Sequence, residues 1–154
     1  MMTLRPATME DSDTLFRLRN DPDTRKWALQ PELVALPNHE HWLKVTLADK
    51  DKIELLIGEV DGKPVGTVRF NLLPSADGDQ QYVSITVDPN LRGRGFGKLL
   101  LEAACLRRKN DNLSAIINKK NERSITIFES CGFIEVQQYS DSRFLLFRRG
   151  PLLP

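Results

Sequence analysis

Cysteine, histidine and tyrosine are all scarce here: the 154 residues contain two of each. Cys105 and Cys131 sit in separate apolar, helix-like stretches, so their number and spacing offer neither a zinc framework nor a disulfide pattern. Long apolar runs are missing, since none nears the roughly 18 residues that span a bilayer. No secretory signal is expected either, because the N-terminal run turns charged at Arg5, followed by Pro6. No charge sign prevails: 22 Lys and Arg face 21 Asp and Glu, for a net charge of +1. No general field therefore draws this chain to nucleic acid or membrane, and any anionic ligand must be held locally. These absences lead to the expectation of a cytoplasmic protein with no metal, no nucleic acid and no membrane partner.

The chain has 40% hydrophobic residues and shows no repeat, low-complexity tract or linker. That composition builds one core, and we expect a single domain over 1–150 with a tail at 151–154.

The elements are expected as follows. A short apolar start at Leu4 leads to a helix announced by Thr8 and the acids Glu10 and Asp11, which Pro22 stops. A second helix over 38–48 turns Trp42, Leu43 and Val45 inward. Residues 53–60 and 65–73 read as a hairpin around Asp61-Gly62, and 82–87 alternates as a strand. A helix over 96–109 lines Phe96, Leu99, Leu100, Ala103 and Leu106 on one side. A strand at 114–118, a helix over 121–131 closed by Gly132, and strands at 133–139 and 144–148 complete the order. This is a mixed α/β domain around one central sheet. An edge strand near Phe144 to Phe147 awaits a cover from its own fold or from a second subunit, so a homodimer is open.

The most informative segment runs from Val87-Asp88-Pro89 through Arg92-Gly93-Arg94-Gly95-Phe96-Gly97-Lys98, joining a strand to a helix. Glycines at such a junction let successive backbone N–H groups converge on an anion at the positive end of the helix dipole. A phosphate or pyrophosphate is the expected ligand. The spacing excludes the dinucleotide fingerprint, since the sixth position counted from Gly93 is Lys98. It also excludes the P-loop, which needs glycine where Arg92 stands and Ser or Thr where Leu99 stands.

What does match is R-x-x-G-x-G, supplied by Arg92, Gly95 and Gly97 after a strand ending in Asp-Pro. This resembles the acetyl-CoA pyrophosphate loop of the GNAT superfamily of N-acetyltransferases. Asn121 to Phe133 is similar to a second element of that family, N-x-x-(small)-x-x-(apolar)-(aromatic)-x-x-x-G-F. The resemblance implies a three-layer fold with a mixed, mostly antiparallel sheet of six to seven strands flanked by about four helices. It implies acetyl-CoA as co-substrate, held by Arg92, Gly93, Arg94, Gly95, Phe96, Gly97 and Lys98, with Lys119, Lys120 and Arg123 as further cations near its phosphates. Ile85 and Val87 would lend main-chain groups to pantetheine, with the Val87 N–H beside the thioester oxygen. Asn121, Ser124 and Phe128 would flank that arm, although Asn121 equally reads as a helix N-cap.

Two positions depart from the family's commonest pattern. The aromatic that is usually tyrosine, an acid for the departing thiolate, is Phe128, and the frequent glutamate base is replaced by Ser84. Tyr139, Ser130 or Cys131 are alternative acids, and His41, His39 or Asp79 alternative bases, with His41 foremost. On the acceptor side, Asn20-Asp21-Pro22 with Arg25, and His41-Trp42, resemble enzymes that acetylate nucleotide-linked 4-amino sugars or ribosomal-protein N-termini. Asn20, Arg25, His41 and Trp42 are thus expected at the acceptor, a sugar nucleotide in the first reading, which Arg19 and Arg25 would also suit. A peptide N-terminus is the alternative. A non-catalytic acyl-CoA-binding domain is a third class.

Overall fold

The computed structural model describes residues 1–74 and 78–151; of the expected tail, 152–154 fall outside the described residues. The chain runs β1 (Met2–Pro6), α1 (Ser12–Asn20), α2 (Pro22–Lys26), α3 (Leu36–Ala48), β2 (Ile53–Val60), β3 (Lys63–Leu73) and β4 (Gln80–Val87). It continues with α4 (Phe96–Arg107), β5 (Leu113–Asn118), α5 (Glu122–Ser130), β6 (Ile134–Glu135) and β7 (Phe144–Arg149). Seven strands form one sheet in the order β1-β2-β3-β4-β5-β7-β6, antiparallel except for β4 beside β5. The expected hairpin is present, with φ of 53° at Asp61 and 76° at Gly62 turning β2 into β3.

Strand alternation sends the two faces of this sheet into separate cores. On one face, Leu56, Val68, Phe70 and Val83 pack with Leu100, Leu101 and Ala104 of α4 and Phe128 of α5. On the other, Leu55 and Ile57 meet Ala7, Leu15 of α1 and Leu43 of α3. α4 lies close because β2 and β3 carry glycine beneath it. A Cβ on Gly66 would stand 2.2 Å from the Thr86 carbonyl oxygen and 2.8 Å from Leu100 Cδ1.

That close approach corrects the expected face of α4. Leu99 and Leu106 are exposed, and the buried stripe is Gly97, Leu100, Leu101, Ala104 and Cys105. The helix is apolar nearly all round, so periodicity alone leaves its rotation open, and the glycine-floored groove selects it. α3 is rotated as well: His39, Leu43 and Thr46 are buried, Trp42 is half-buried, and Val45 is exposed. Pro22 ends α1 as expected but also starts α2, because Asp21 accepts a hydrogen bond from the Thr24 N–H (3.0 Å) and proline suits the first helical position. The expected strand at 133–139 shrinks to Ile134–Glu135 before a 3₁₀ turn at Gln137–Tyr139. Segment 134–141 still covers β7, since Ile134 and Glu135 pair with it and the Val136 N–H and Asp141 N–H donate to Leu146 and Phe144 carbonyls. The β7 edge is thus capped by its own fold.

Gly66→Ala tests the packing of α4. Forcing a methyl against backbone oxygen and Leu100 costs about 2–3 kcal/mol, a fall of roughly 5–10 °C in Tm by calorimetry. An unchanged Tm would mean that α4 does not sit as described.

Candidate active site

The site begins where two parallel strands part. β4 pairs with β3 along its whole length, from Gln80 opposite Leu73 to Val87 opposite Gly66, but its register with β5 is the single pair Tyr82–Ser114. The Asp88 N–H donates to the Val65 carbonyl at 2.9 Å, continuing the β3–β4 ladder. Antiparallel alternation then sends the main-chain groups of Thr86 and Ser84 to β3, and those of Val87, Ile85 and Val83 to the β5 side. Beyond Tyr82 that side opens, leaving Ile85 and Val87 beside a wedge between the strands.

The loop stands at the mouth of this wedge. Asp88 is buried and accepts from the Asn90 N–H at 2.9 Å, holding a 3₁₀ turn at Pro89–Leu91. Gly93 and Gly95 have φ of 80° and 81°, a region that penalises side chains, and nothing lies within 4 Å of where their Cβ atoms would be. Gly95 directly precedes Phe96, the first residue of α4, so the free N–H groups of that helix open onto uncrowded space. Gly97 does a different job: it is buried, and a Cβ there would stand 2.8 Å from Ile127 Cδ1, so it lets α5 close on α4. Arg94 and Lys98 are exposed at the loop, the Lys98 ammonium only loosely met by Glu102 at 3.9 Å.

Two arginine–aspartate links bind this mouth to the first helices. Arg17 of α1 makes a forked pair with Asp88 (2.8 and 3.2 Å), and that guanidinium holds the Asp88 carboxyl below the usual carboxylate range. In the opposite direction, the Arg92 guanidinium pairs with Asp23 and Asp21 and donates to Thr24 Oγ1 at 3.1 Å. Arg92 therefore reaches α2, a link invisible in the sequence because its partners lie about seventy residues away.

The other expected residues separate into groups. Asn121 caps α5, its Oδ1 accepting from the Ser124 N–H at 3.2 Å, and Ser124 is half-buried beside it. Phe128 is 2% exposed and meets Phe133 edge-on at 5.0 Å, so it belongs to the core. Asn20 uses both ends of its amide on Val34 (2.8 Å each), and Arg25 Nε donates to the Pro31 carbonyl at 2.8 Å; both fasten the 20–34 segment. His41 is exposed, about 200° round α3 from buried His39, so its ring faces away from the sheet. His39 is fully buried, in tilted ring contact with Phe16 and Trp42, with Nε2 3.1 Å from the Ser12 carbonyl; burial pushes its pKa down. Neither histidine is placed as a base at β4.

Asp79 precedes Val87 by eight residues, about 26 Å of strand, and lines a polar groove with Asn112 and Arg148 at the far end. Ser130 and Cys131 lie at the opposite end of α5 from Asn121, roughly 13 Å along its axis. There Ser130 Oγ donates to the Ile127 carbonyl and burial pushes the Cys131 thiol up. Tyr139 stacks under the Arg148 guanidinium of β7, two strands from β4. No expected acid reaches the wedge. Its opening needed the strand register to be seen.

A sheet opened between parallel strands beside a glycine-lined helix N-terminus is the frame of an acyl-CoA-binding acetyltransferase. The family described as acetyltransferase (GNAT) domain matches residues 2–134, and the chain belongs to it. It is thus an acetyl-CoA-dependent N-acetyltransferase. No curated protein matches the sequence. Among solved structures, a ribosomal-protein-alanine N-acetyltransferase from Brucella melitensis is 27% identical, with a TM-score of 0.74, covering 96% of this chain and 98% of its own. The aminoglycoside acetyltransferase AAC(6')-Ib in complex with coenzyme A has a TM-score of 0.79 at 19% identity, over 97% of this chain and 95% of its own. RimL, a ribosomal L7/L12 alpha-N-protein acetyltransferase in complex with coenzyme A, has a TM-score of 0.80 at 12% identity, over 97% and 94%. These last two show the shared fold. Among the described residues, no helix is long and apolar enough to cross a membrane.

The Arg17–Asp88 link can be tested through pH. Asp88 has a depressed folded-state pKa, so its contribution is present above the unfolded value of about 4 and is lost as pH falls through the folded one. Asp88→Asn should cost about 1 kcal/mol at pH 7, a modest figure because the Arg17 side chain is 50% exposed. By urea unfolding, the gap between wild type and variant should stay constant above pH 5 and narrow below pH 4. A gap that is constant down to pH 2 would mean that the pair contributes nothing.

Proposed function

We propose that this enzyme acetylates the primary amine of a nucleotide-linked amino sugar by direct transfer in the wedge between β4 and β5. The observation that carries the placement is the parting of β4 from β5 after Tyr82, beside the glycine-lined start of α4. Acetyl-CoA supplies the acetyl group as an activated thioester. In this reading the N–H groups of Gly93, Arg94, Gly95, Phe96, Gly97 and Lys98 hold the pyrophosphate, aided by the dipole of α4. Ile85 and Val87 pair with pantetheine through their main chain, Asn121 and Ser124 border it, and the Val87 N–H donates to the thioester oxygen as charge builds there. With no histidine at β4, the acceptor nitrogen attacks the thioester carbon as the C–S bond breaks, and the proton it gives up passes through water at exposed Ser84 and leaves with CoA as its thiol. Catalysis then rests on positioning and on the main-chain donor. A reducing, cytoplasmic setting suits the two free thiols.

The sugar-nucleotide choice is supported by the cationic acceptor face around Arg19 and Trp42, where the Arg19 guanidinium lies 4.6 Å from the indole centroid. A peptide N-terminus is the second reading, favoured by the 27% identity to a ribosomal-protein-alanine N-acetyltransferase.

Thiol release from acetyl-CoA, followed with a UDP-linked 4-amino-4,6-dideoxy sugar and with a ribosomal-type peptide, separates the two. We expect release with the sugar; release with the peptide alone overturns the acceptor. Gly95→Val, at φ 81° on an open surface, should weaken acetyl-CoA binding at least tenfold by calorimetry while the sheet remains folded by circular dichroism. Undiminished binding would remove the loop from the cofactor site.

A further inference from the structure

Most guanidinium groups near the site have acid partners: Arg5 on Asp11, Arg17 on Asp88, Arg92 on Asp21 and Asp23. Arg19 and Arg69 do not. Among the described residues no carboxylate lies within ion-pairing distance of either, and Arg19 Nη1 and Arg69 Nε are shut from solvent without a hydrogen-bond partner. They come together from distant parts of the chain. Arg69 lies on β3 opposite Leu55 of β2 and Ser84 of β4, which places it on the α1/α3 face of the sheet. Arg19 comes from α1 and rests on Trp42 of α3. Trp42, on which Arg19 rests, packs against the cluster that contains Leu55, the residue opposite Arg69; burial, and to a lesser degree the charge of Arg19, push the Arg69 pKa down. A fold gains nothing by pairing two cations this way, so an absent anion is the natural third member.

We propose that Arg19 and Arg69 form the anion-binding half of the acceptor site and grip a phosphoryl group of the amine substrate, the diphosphate of a sugar nucleotide. This rests on the acetyl-transfer reading and sharpens its substrate. Two guanidinium forks match a dianionic phosphate in charge and in donor number. Spacing agrees. Ser84, opposite Arg69, precedes Val87 by three residues, about 10 Å of strand, so the anion lies well away from the reacting nitrogen. A carboxylate on the carbon bearing the amine falls short of that separation, whereas a diphosphate across a sugar ring spans it. Exposed Ser84 leaves the approach open.

The experiment titrates UDP, an acidic N-terminal tripeptide and acetyl-CoA separately into wild type, Arg69→Gln and Arg19→Gln by calorimetry, with UDP added to both free and CoA-loaded protein. Tm is recorded without ligand. We expect UDP to bind the CoA-loaded wild type and to lose at least tenfold in either variant, with acetyl-CoA affinity held within twofold. Removing an unpaired charge at residue 69 should also raise Tm by about 2–4 °C, a gain in stability with loss of binding that a purely structural arginine does not give. Absent UDP binding, or UDP binding unmoved by Arg69→Gln, overturns the proposal. So does a joint fall in Tm and acetyl-CoA affinity, which makes Arg69 a structural residue. Tighter binding of the tripeptide, lost equally in the variants, overturns the phosphoryl assignment in favour of a carboxylate. If acetyl-CoA itself fails to bind, the acetyl-transfer reading fails instead, and the UDP titration of the free protein is judged by the same criteria.

Discussion

The parting of β4 from β5 is the constraint on which the rest of this structure depends. After the single pair Tyr82–Ser114, the two parallel strands diverge, and Ile85 and Val87 keep main-chain groups that no strand satisfies. Such groups are costly unless water or a ligand meets them. Everything nearby serves to hold the wedge open. Gly97 lets α5 close on α4 at one side, and the glycine floor of β2 and β3 fixes α4 across the sheet. Close packing then prevents the two strands from zipping together.

Electrostatics divides the arginines near the wedge into those ion-paired with aspartate and those, among the described residues, that are not. Arg17 and Arg92 cross between the glycine loop and the first two helices, each ending on aspartate, and tie the loop to α1 and α2. This gives the arginine of the R-x-x-G-x-G pattern a bracing role for its side chain, while its main chain remains free to serve the loop. Arg19 and Arg69 have the opposite character, partly buried cations with no ion-paired acid among the described residues. The same residue type thus braces the frame in one place and stands without an acid in another, and the neighbouring carboxylates make the difference.

Much of the fold was legible from local pattern. The Asp61-Gly62 turn, the alternation of β4 and the helix stop at Gly132 are short-range effects written into consecutive residues. Rotations of helices were not. Leu99 and Leu106 look as apolar as Leu100 and Leu101, and only the groove under Leu100 decides which pair is buried. His41, the foremost candidate base from its place in the sequence, is turned outward by α3, which encloses His39 instead. Strand propensity over Phe133 to Tyr139 also overstated the strand there. The Phe133 ring is taken by Phe128, and the chain leaves β7 for a 3₁₀ turn soon after Glu135.

The sequence by itself determined the glycine-lined turn and its family, because left-handed glycines and a helix start are properties of adjacent residues. It determined the absence of a hydroxyl at residue 128 for the same reason. Tertiary structure alone decided where the strands part, which arginines find aspartates, and that Arg69 faces the α1/α3 side of the sheet with Arg19. Those outcomes depend on partners roughly thirty to seventy residues apart, whose meeting is set by sheet register and packing. No local spacing encodes them.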